Sequence, residues 1–468
     1  MKVHLSGICG TAMASLAGLL RERGHDVTGS DQDVYPPMST QLAEMGIPVR
    51  SPYAEENVPA DADLVVIGNA LSRGNPEVEA VLDRRQRVTS MPALLGEEFI
   101  RPRRSLVVAG THGKTTTAGL LAFLLTAAGR DPSFLVGGVP VDFGRSYRLG
   151  GGREFVVEGD EYDCAFFDKR PKFVHYLPDV AVVGNVEYDH ADIYPDLAAV
   201  QTAFLRLFAV VPRRGLIVAG VESPALRELL LKAPCRVETF ALGEEADWRA
   251  EEVRPEAGGR GYRFRLVRSG RDLGEFTLGM AGDHNVRNAL AALAAAAAVG
   301  VAPEDVREAL AAFRGVKRRL EVRGQAAGVT VYDDFAHHPT AVRETLRTVR
   351  SLAIPSPGRL VAVFEPRSYT SRTRVFQDQF ASALALADRV VVAAAHLPGK
   401  VPEGQRVSEP ELVDAIRALG TQADFVPDVP SIVISLARDL RAGDRVVVLS
   451  NGGFGGIHEK LLAALAER

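Results

Sequence analysis

The sequence is poor in cysteine, and its three residues of that type, Cys9, Cys164 and Cys235, stand far apart with no CxxC spacing. An odd, scattered set argues against a disulfide framework or a zinc ribbon and fits a reducing compartment. Long apolar runs are missing as well. The longest, 289–302, is interrupted by Gly300 and falls short of the roughly 18 residues a membrane span requires. Charge of one sign is not in excess, since 55 basic and 59 acidic side chains leave a formal net charge of -4. No basic field exists to hold nucleic acid, and no like-charged block forms a tail. Arginine supplies 47 of the basic residues and is spread along the whole chain, which reads as compositional bias. The opening MKVHLSGICGT enters a strand-like stretch without the apolar core of a signal peptide. These exclusions predict a cytoplasmic protein with neither membrane nor nucleic-acid partner.

What is present is a repeated strand–turn–helix pattern. The 468 residues allow two to four domains at about 100–200 residues each. Three segments open with a short β run feeding a glycine or proline turn: 2–5 before Ser6-Gly7-Ile8-Cys9-Gly10, 105–109 before Gly110-Thr111-His112-Gly113-Lys114, and 360–364 before Glu365-Pro366-Arg367. Strand and helix patterns alternate in all three, the signature of α/β layers with largely parallel sheets. Boundaries are expected near Arg101-Pro102-Arg103-Arg104 and near 315–319. That gives domains of 1–103, 104–315 and 316–468. Segment 237–280 reads as short β hairpins, an appendage of the middle domain. No solenoid repeat or low-complexity tract is visible.

The first glycine turn leaves its ligand open. A second strand follows and ends near Ser30 and Asp31, about where an acid binds a ribose hydroxyl in dinucleotide sites. Cys9, however, occupies the position of the glycine that lets pyrophosphate approach the backbone. A nicotinamide dinucleotide, another nucleotide diphosphate held at the helix N-terminus, and a structural turn all remain readings of these residues.

The second turn is more specific. Gly110-Thr111-His112-Gly113-Lys114-Thr115-Thr116 sits between an apolar strand and an amphipathic run. Backbone N–H groups of such a loop wrap phosphate oxygens; Lys114 would reach the β/γ-phosphates and Thr115 would ligate magnesium. Only two residues separate the first glycine from the Gly-Lys pair, where the standard P-loop has four. Two acidic segments follow apolar strands in the same domain: Glu158-Gly159-Asp160-Glu161-Tyr162-Asp163 and Asn185-Val186-Glu187-Tyr188-Asp189-His190. Carboxylates and a neutral imidazole at adjacent strand ends suit magnesium beside a triphosphate. Taken singly, such acids also serve as solvated loop residues or helix caps.

These motifs resemble the Mur ligase family, ATP-dependent enzymes that build the peptide of bacterial cell-wall precursors. The short loop is similar to that family's own P-loop, Glu158 to its magnesium-binding glutamate, and Asn185-x-Glu187-x-Asp189-His190 to the segment whose histidine binds a second magnesium. Gly282-Asp283-His284-Asn285-Val286-Arg287-Asn288 resembles the adenine-binding stretch. Lys317-Arg318-Arg319-Leu320-Glu321 and Tyr332-Asp333-Asp334-Phe335-Ala336-His337-His338-Pro339 follow in the family's order. The resemblance covers the whole chain. It implies a Rossmann-like first domain, a central P-loop ATPase domain and a Rossmann-like third domain. Three segments liken the chain most to the recycling branch, which joins UDP-N-acetylmuramate to the tripeptide L-alanyl-γ-D-glutamyl-meso-diaminopimelate: Gly68-Asn69-Ala70-x-x-Arg73-Gly74-Asn75-Pro76, the run 160–176, and Ser450-Asn451-Gly452-Gly453-Phe454. One departure stands out. Several family members carry a carbamoylated, magnesium-binding lysine some four turns after the metal histidine, and 203–208 contains none.

The resemblance implies a set of roles. ATP would be held by Gly110, Thr111, His112, Gly113, Lys114, Thr115, Thr116, His284, Asn288, Arg319 and Asp333, with magnesium on Thr115, Glu158 and His190. Lys114, His190, Arg319 and His337 would carry the chemistry. UDP-N-acetylmuramate would meet Gly7, Gly10, Thr11, Ser30, Asp31, Asn69, Ser72 and Asn75, and the peptide Arg367, Arg372, Asn451, Gly452 and Gly453. A carboxylate must be activated before an amine can displace its oxygen. Phosphoryl transfer from ATP would do this through an acyl phosphate. The rival within the class is L-alanine addition to the same nucleotide. From other classes, a nicotinamide dehydrogenase leaves the P-loop unexplained, and a P-loop switch predicts hydrolysis indifferent to a muramoyl nucleotide.

Overall fold

The computed structural model describes residues 1–34, 38–256, 261–352 and 358–468. Three large sheets follow one another along the chain. The first is wholly parallel, in the order Val49–Arg50, Asp26–Ser30, Lys2–Ser6, Leu64–Ile67, Val88–Ser90. Strand order reverses beside Lys2–Ser6, the kind of switch point where open α/β sheets place ligands.

The second sheet has ten strands. Its centre is parallel, with Val180–Val183, Arg104–Ala109 and Glu154–Glu158 side by side. Side chains alternate between two cores, as a pleat buried on both faces requires. Val107, Val157 and Ala181 face one, and Leu106, Val108, Val156 and Val182 the other. The first core continues into the first domain, joining Leu16, Leu20 and Phe99 to Phe173, Tyr176 and Phe204. The second packs the helices Lys114–Ala127 and Asp283–Ala298 against the sheet. The expected hairpins appear as Trp248–Pro255, Tyr262–Arg268 and Arg271–Leu278. Instead of hanging free, they extend this sheet's edge, and the strand before them, Arg236–Ala241, pairs in parallel.

The third sheet runs Glu321–Ala326, Val329–Asp334, Arg445–Leu449, Leu360–Phe364, Arg389–Val392, Gln422–Phe425, antiparallel only at its first pair. Before it starts, Val316 bridges to Pro140 and the Lys317 N–H donates to the Val139 carbonyl at 3.0 Å. No helix among the described residues is long and apolar enough to cross a membrane.

Candidate functional site

The second glycine turn is built by its backbone. Gly110 and Gly113 have φ of 125° and 82°, and the helix begins at Lys114. The second acidic segment clamps the loop from beside. The Thr111 N–H donates to the Asn185 carbonyl (3.0 Å), the His112 N–H to Asn185 Oδ1 (2.8 Å), and the Glu187 N–H to Thr111 Oγ1 (2.8 Å). At Gly113 a side chain would collide with Asn288. Gly113→Ala is therefore expected to weaken ATP binding about tenfold or more, since left-handed backbone alone costs an L-residue about 1–2 kcal/mol. Calorimetric titration with a non-hydrolysable ATP analogue reads this out.

Lys114 lies folded over the turn. Its Nζ donates to the Gly110 carbonyl at 2.8 Å and to both oxygens of Glu161 at 3.0 and 2.9 Å. Burial alone would lower the lysine pKa, but the charges of Glu161, Asp160 and Glu158 outweigh it and hold the ammonium above its ordinary value. Glu161 also bonds His190 Nε2 at 2.9 Å, and the Glu161 charge keeps that imidazole protonated more readily than usual despite burial. His190 itself sits at φ 56°, held by the Ile193 and Tyr194 N–H groups on its carbonyl.

Glu158 is the strand-end carboxylate. Thr115 Oγ1 donates to Oε1 at 3.0 Å, and the Gly137 N–H to Oε2 at 2.7 Å. Burial pushes this carboxyl above its ordinary pKa even with Lys114 and Arg319 nearby. A desolvated carboxylate paired with a hydroxyl is a hard oxygen set, which fits magnesium. Asp160, Glu161 and His190 bring a further set of donor atoms within 4.8 Å of one another. A comparable cluster of Cys164, Asp168 and His175 likewise already holds a cation, since Arg170 lies on Asp168 at 2.8 Å, as Lys172 lies on Asp160 at 2.6 Å and Lys114 on Glu161 at 2.9 Å.

The third domain closes the site. A cavity of about 1090 Å³ is lined by 111–117, Glu158, His190, His284 and Asn288 from the middle domain and by Arg319, Asp334, His337, Arg367, Arg372 and Asn451 from beyond it. Arg319 is delivered by a bent linker. Arg318 and Leu320 on either side have φ of 61° and 52°, strain worth about 1–3 kcal/mol at a non-glycine residue. The Leu320 N–H bonds Asp334 Oδ2 at 2.7 Å, and the Phe335 N–H bonds the Arg318 carbonyl at 2.8 Å. Arg319 then reaches Thr115 Oγ1 at 3.3 Å with its guanidinium over the Phe335 ring. Burial, with Arg287 and Arg319 adding to it, brings His284 down to about 4, so it is neutral near pH 7. His337 is also held neutral by burial, its Nδ1 on the Phe335 carbonyl at 3.0 Å.

Several expected residues stand elsewhere. Asp333 does not line the cavity. Strand alternation turns it to the opposite face of Val329–Asp334, where it pairs with Arg318 and His458, and Asp334 takes the inward position. Arg372 borders the cavity, but its guanidinium is engaged by the Ser368, His396 and Leu397 carbonyls. Gly452 and Gly453 are outside the lining. Gly452 lies under Arg367, and its carbonyl accepts from Arg318.

The first-domain set also lies outside this cavity, none of whose lining residues precedes 108. Gly7 has φ 86°, Gly10 caps the helix Thr11–Glu22, and Asn69 and Ser72 are exposed beside the turn. Asn75 is a helix cap, accepting from the Glu77 and Val78 N–H groups. Asp31 binds the Cys9 N–H at 2.8 Å and the Tyr53 hydroxyl at 3.0 Å, and Ser30 is fully buried.

One cluster escaped sequence reasoning. Glu187 of the middle domain accepts from Thr340 Oγ1 at 2.7 Å and lies 3.3 Å from His112 Nε2, while His338 Nε2 bonds the Tyr188 carbonyl. Thr370 Oγ1 adds a bond to Asp189 at 2.6 Å. This latch joins the two domains. Burial and the neighbouring His112 bring His338 down to about 4, while His112 and Thr340 hold the Glu187 carboxyl well below its usual range against the cost of burial. As pH falls from 6.5 toward 4, an opened chain protonates His338 and the closed one does not, so closure weakens. Glu187, with a depressed pKa, adds a loss of the same sign at lower pH. The radius of gyration from solution scattering is expected to rise between pH 7 and pH 5, and less so in His338→Gln.

Three family models match the chain in order: the Mur ligase family catalytic domain over residues 2–101, the Mur ligase middle domain over 108–296, and the Mur ligase glutamate ligase domain over 318–452. The chain belongs to the Mur ligase family. It is 44% identical to the UDP-N-acetylmuramate–L-alanyl-γ-D-glutamyl-meso-2,6-diaminoheptandioate ligase of Escherichia coli, covering 100% of this chain and 99% of the relative. Among solved structures it is similar to the murein peptide ligase of Psychrobacter arcticus, with 38% identity, a TM-score of 0.74 and 100% and 99% of the two chains covered. The UDP-N-acetylmuramate-alanine ligase of Thermotoga maritima superposes with a TM-score of 0.82 at 26% identity, over 99% and 98%.

Proposed function

We propose that the protein joins the muramoyl carboxylate of UDP-N-acetylmuramate to the α-amine of L-alanyl-γ-D-glutamyl-meso-diaminopimelate, at the expense of ATP and through an acyl phosphate. The observation that carries this reading is one cavity that brings a phosphate loop with its lysine against Arg319, His337 and Arg367 of the third domain. Likeness along the full length to the Escherichia coli enzyme supports the substrate pair.

In this reading the loop N–H groups and Lys114 hold the β- and γ-phosphates, the lysine exchanging Glu161 for phosphate oxygens. His284 and Asn288 flank the adenine side. Thr115 with Glu158, and His190 with Asp160 and Glu161, would hold magnesium, which neutralises charge on the transferring phosphoryl group. Arg319 stabilises the charge spread over that group and ties its position to domain closure. Neutral His337 would take a proton from the attacking amine. Arg367 and Asn451 meet peptide carboxylates or amides at the mouth.

L-Alanine addition is kept as a second reading by the Thermotoga maritima superposition. Phosphate release from ATP with UDP-N-acetylmuramate and either acceptor separates the two. Turnover is expected with the tripeptide. Turnover with L-alanine alone selects the second reading, and turnover with neither overturns both.

A further inference from the structure

Beneath the first-domain glycine turn lies a carboxylate that none of the assignments above uses. Glu77, in the first turn of the helix Pro76–Asp83, is 0% exposed. Its Oε2 accepts from Ser6 Oγ at 2.6 Å and Ser30 Oγ at 2.5 Å; its Oε1 accepts from Asn57 Nδ2 at 2.9 Å and the Ala54 N–H at 3.4 Å. His4 Nε2 stands 3.7 Å away. No arginine or lysine pairs with this acid among the described residues. Its charge is held by donors from separate stretches of chain, and these, His4 first and then Ser30, Ser6 and Asn57, keep it ionised, at about 2, against the cost of burial.

Each of those stretches connects to the open turn, directly or through Asp31. Ser6 is the last residue of the strand entering Gly7. Ser30 ends the next strand, its carbonyl accepting the Gly7 and Ile8 N–H groups at 2.8 and 3.1 Å. Asp31 follows directly and binds the Cys9 N–H. Ala54 and Asn57 follow closely on Tyr53, whose hydroxyl donates to Asp31. A buried charge satisfied by several such donors resists rearrangement, because losing any partner leaves a desolvated carboxylate underserved. We infer that Glu77 is a positioning residue for the nucleotide diphosphate, fixing through Ser6, Ser30 and Asn57 the strand ends that shape the turn over Gly7 to Thr11. This rests on the first domain being the UDP-N-acetylmuramate domain. The acid touches no reacting atom.

The test is a split in kinetic constants. Glu77→Ala is expected to raise KM for UDP-N-acetylmuramate about tenfold or more, with kcat and KM for ATP changing less than about twofold. Glu77→Gln keeps the shape and offers its amide to the two serine oxygens, so it is expected to fall between. Ser6→Ala, which removes one donor and leaves the acid, gives the same selective shift on a smaller scale should the alanine variant at Glu77 fail to fold. An unchanged KM for the nucleotide sugar in a folded variant overturns the inference. So does a KM for ATP that rises by the same factor, which would mark a general structural role. Calorimetry on the wild-type protein separates the two failures. Absence of UDP-N-acetylmuramate binding there would refute the reading of the first domain, independently of any substitution.

Discussion

Lys114→Ala is expected to abolish ligase turnover, by at least about a thousandfold or ~4 kcal/mol of transition-state stabilisation, while UDP-N-acetylmuramate binds with near wild-type affinity. The reason is separation. Lys114 sits within a cluster of carboxylates at the end of the central sheet, whereas the first-domain turn lies outside the cavity that the lysine lines. The substitution also strands Glu161, 2% exposed at its side chain, with His190 as its remaining charged partner. Breaking a buried pair from one side costs about 3–5 kcal/mol, so the melting temperature is expected to fall too. Binding of the nucleotide sugar by calorimetry keeps the two effects apart. Its collapse together with turnover would mean that the domains do not divide the ligands as proposed.

Arg319→Ala is the second large effect. Arg319, on the third-domain side, reaches Thr115 of the phosphate loop at 3.3 Å, and strained backbone on both sides commits it there. A positioned arginine that stabilises a transferring phosphoryl group is worth about 10³–10⁵ in kcat, and a loss near the lower end is expected. Arg319→Lys should recover little, because an ammonium lacks the planar fork and stacks poorly on Phe335. ATP affinity measured with a non-hydrolysable analogue should change much less than kcat. An equal loss in both would assign Arg319 to ground-state binding.

The sequence made the central motifs legible because their chemistry is local. A glycine loop opening a helix and an acid at a strand end are short-range patterns, and the structure forms strand, turn and helix at both glycine loops and ends a strand at Glu158. What it hid depends on facing. Asp333 and Asp334 are adjacent and identical, and only the pleat decides which one turns inward. Glu161 is one of several acids in a row, and its role appears only when folding brings Lys114 and His190 onto it. Glu77 sits in a sequence that reads as an ordinary first helical turn, and its donors come from as far as 71 residues away. The Glu187–Thr340 latch spans 153 residues. Gly137 contributes an N–H, which no side-chain pattern announces.

The central chemical event is phosphorylation of the muramoyl carboxylate beside the phosphate loop. Oxygen-18 placed in both carboxylate oxygens of UDP-N-acetylmuramate tests it directly. With ATP and the tripeptide, each amide formed should release one inorganic phosphate carrying one labelled oxygen, with the other label retained in the amide carbonyl. Unlabelled phosphate beside labelled product, or release of pyrophosphate in place of phosphate, would contradict it.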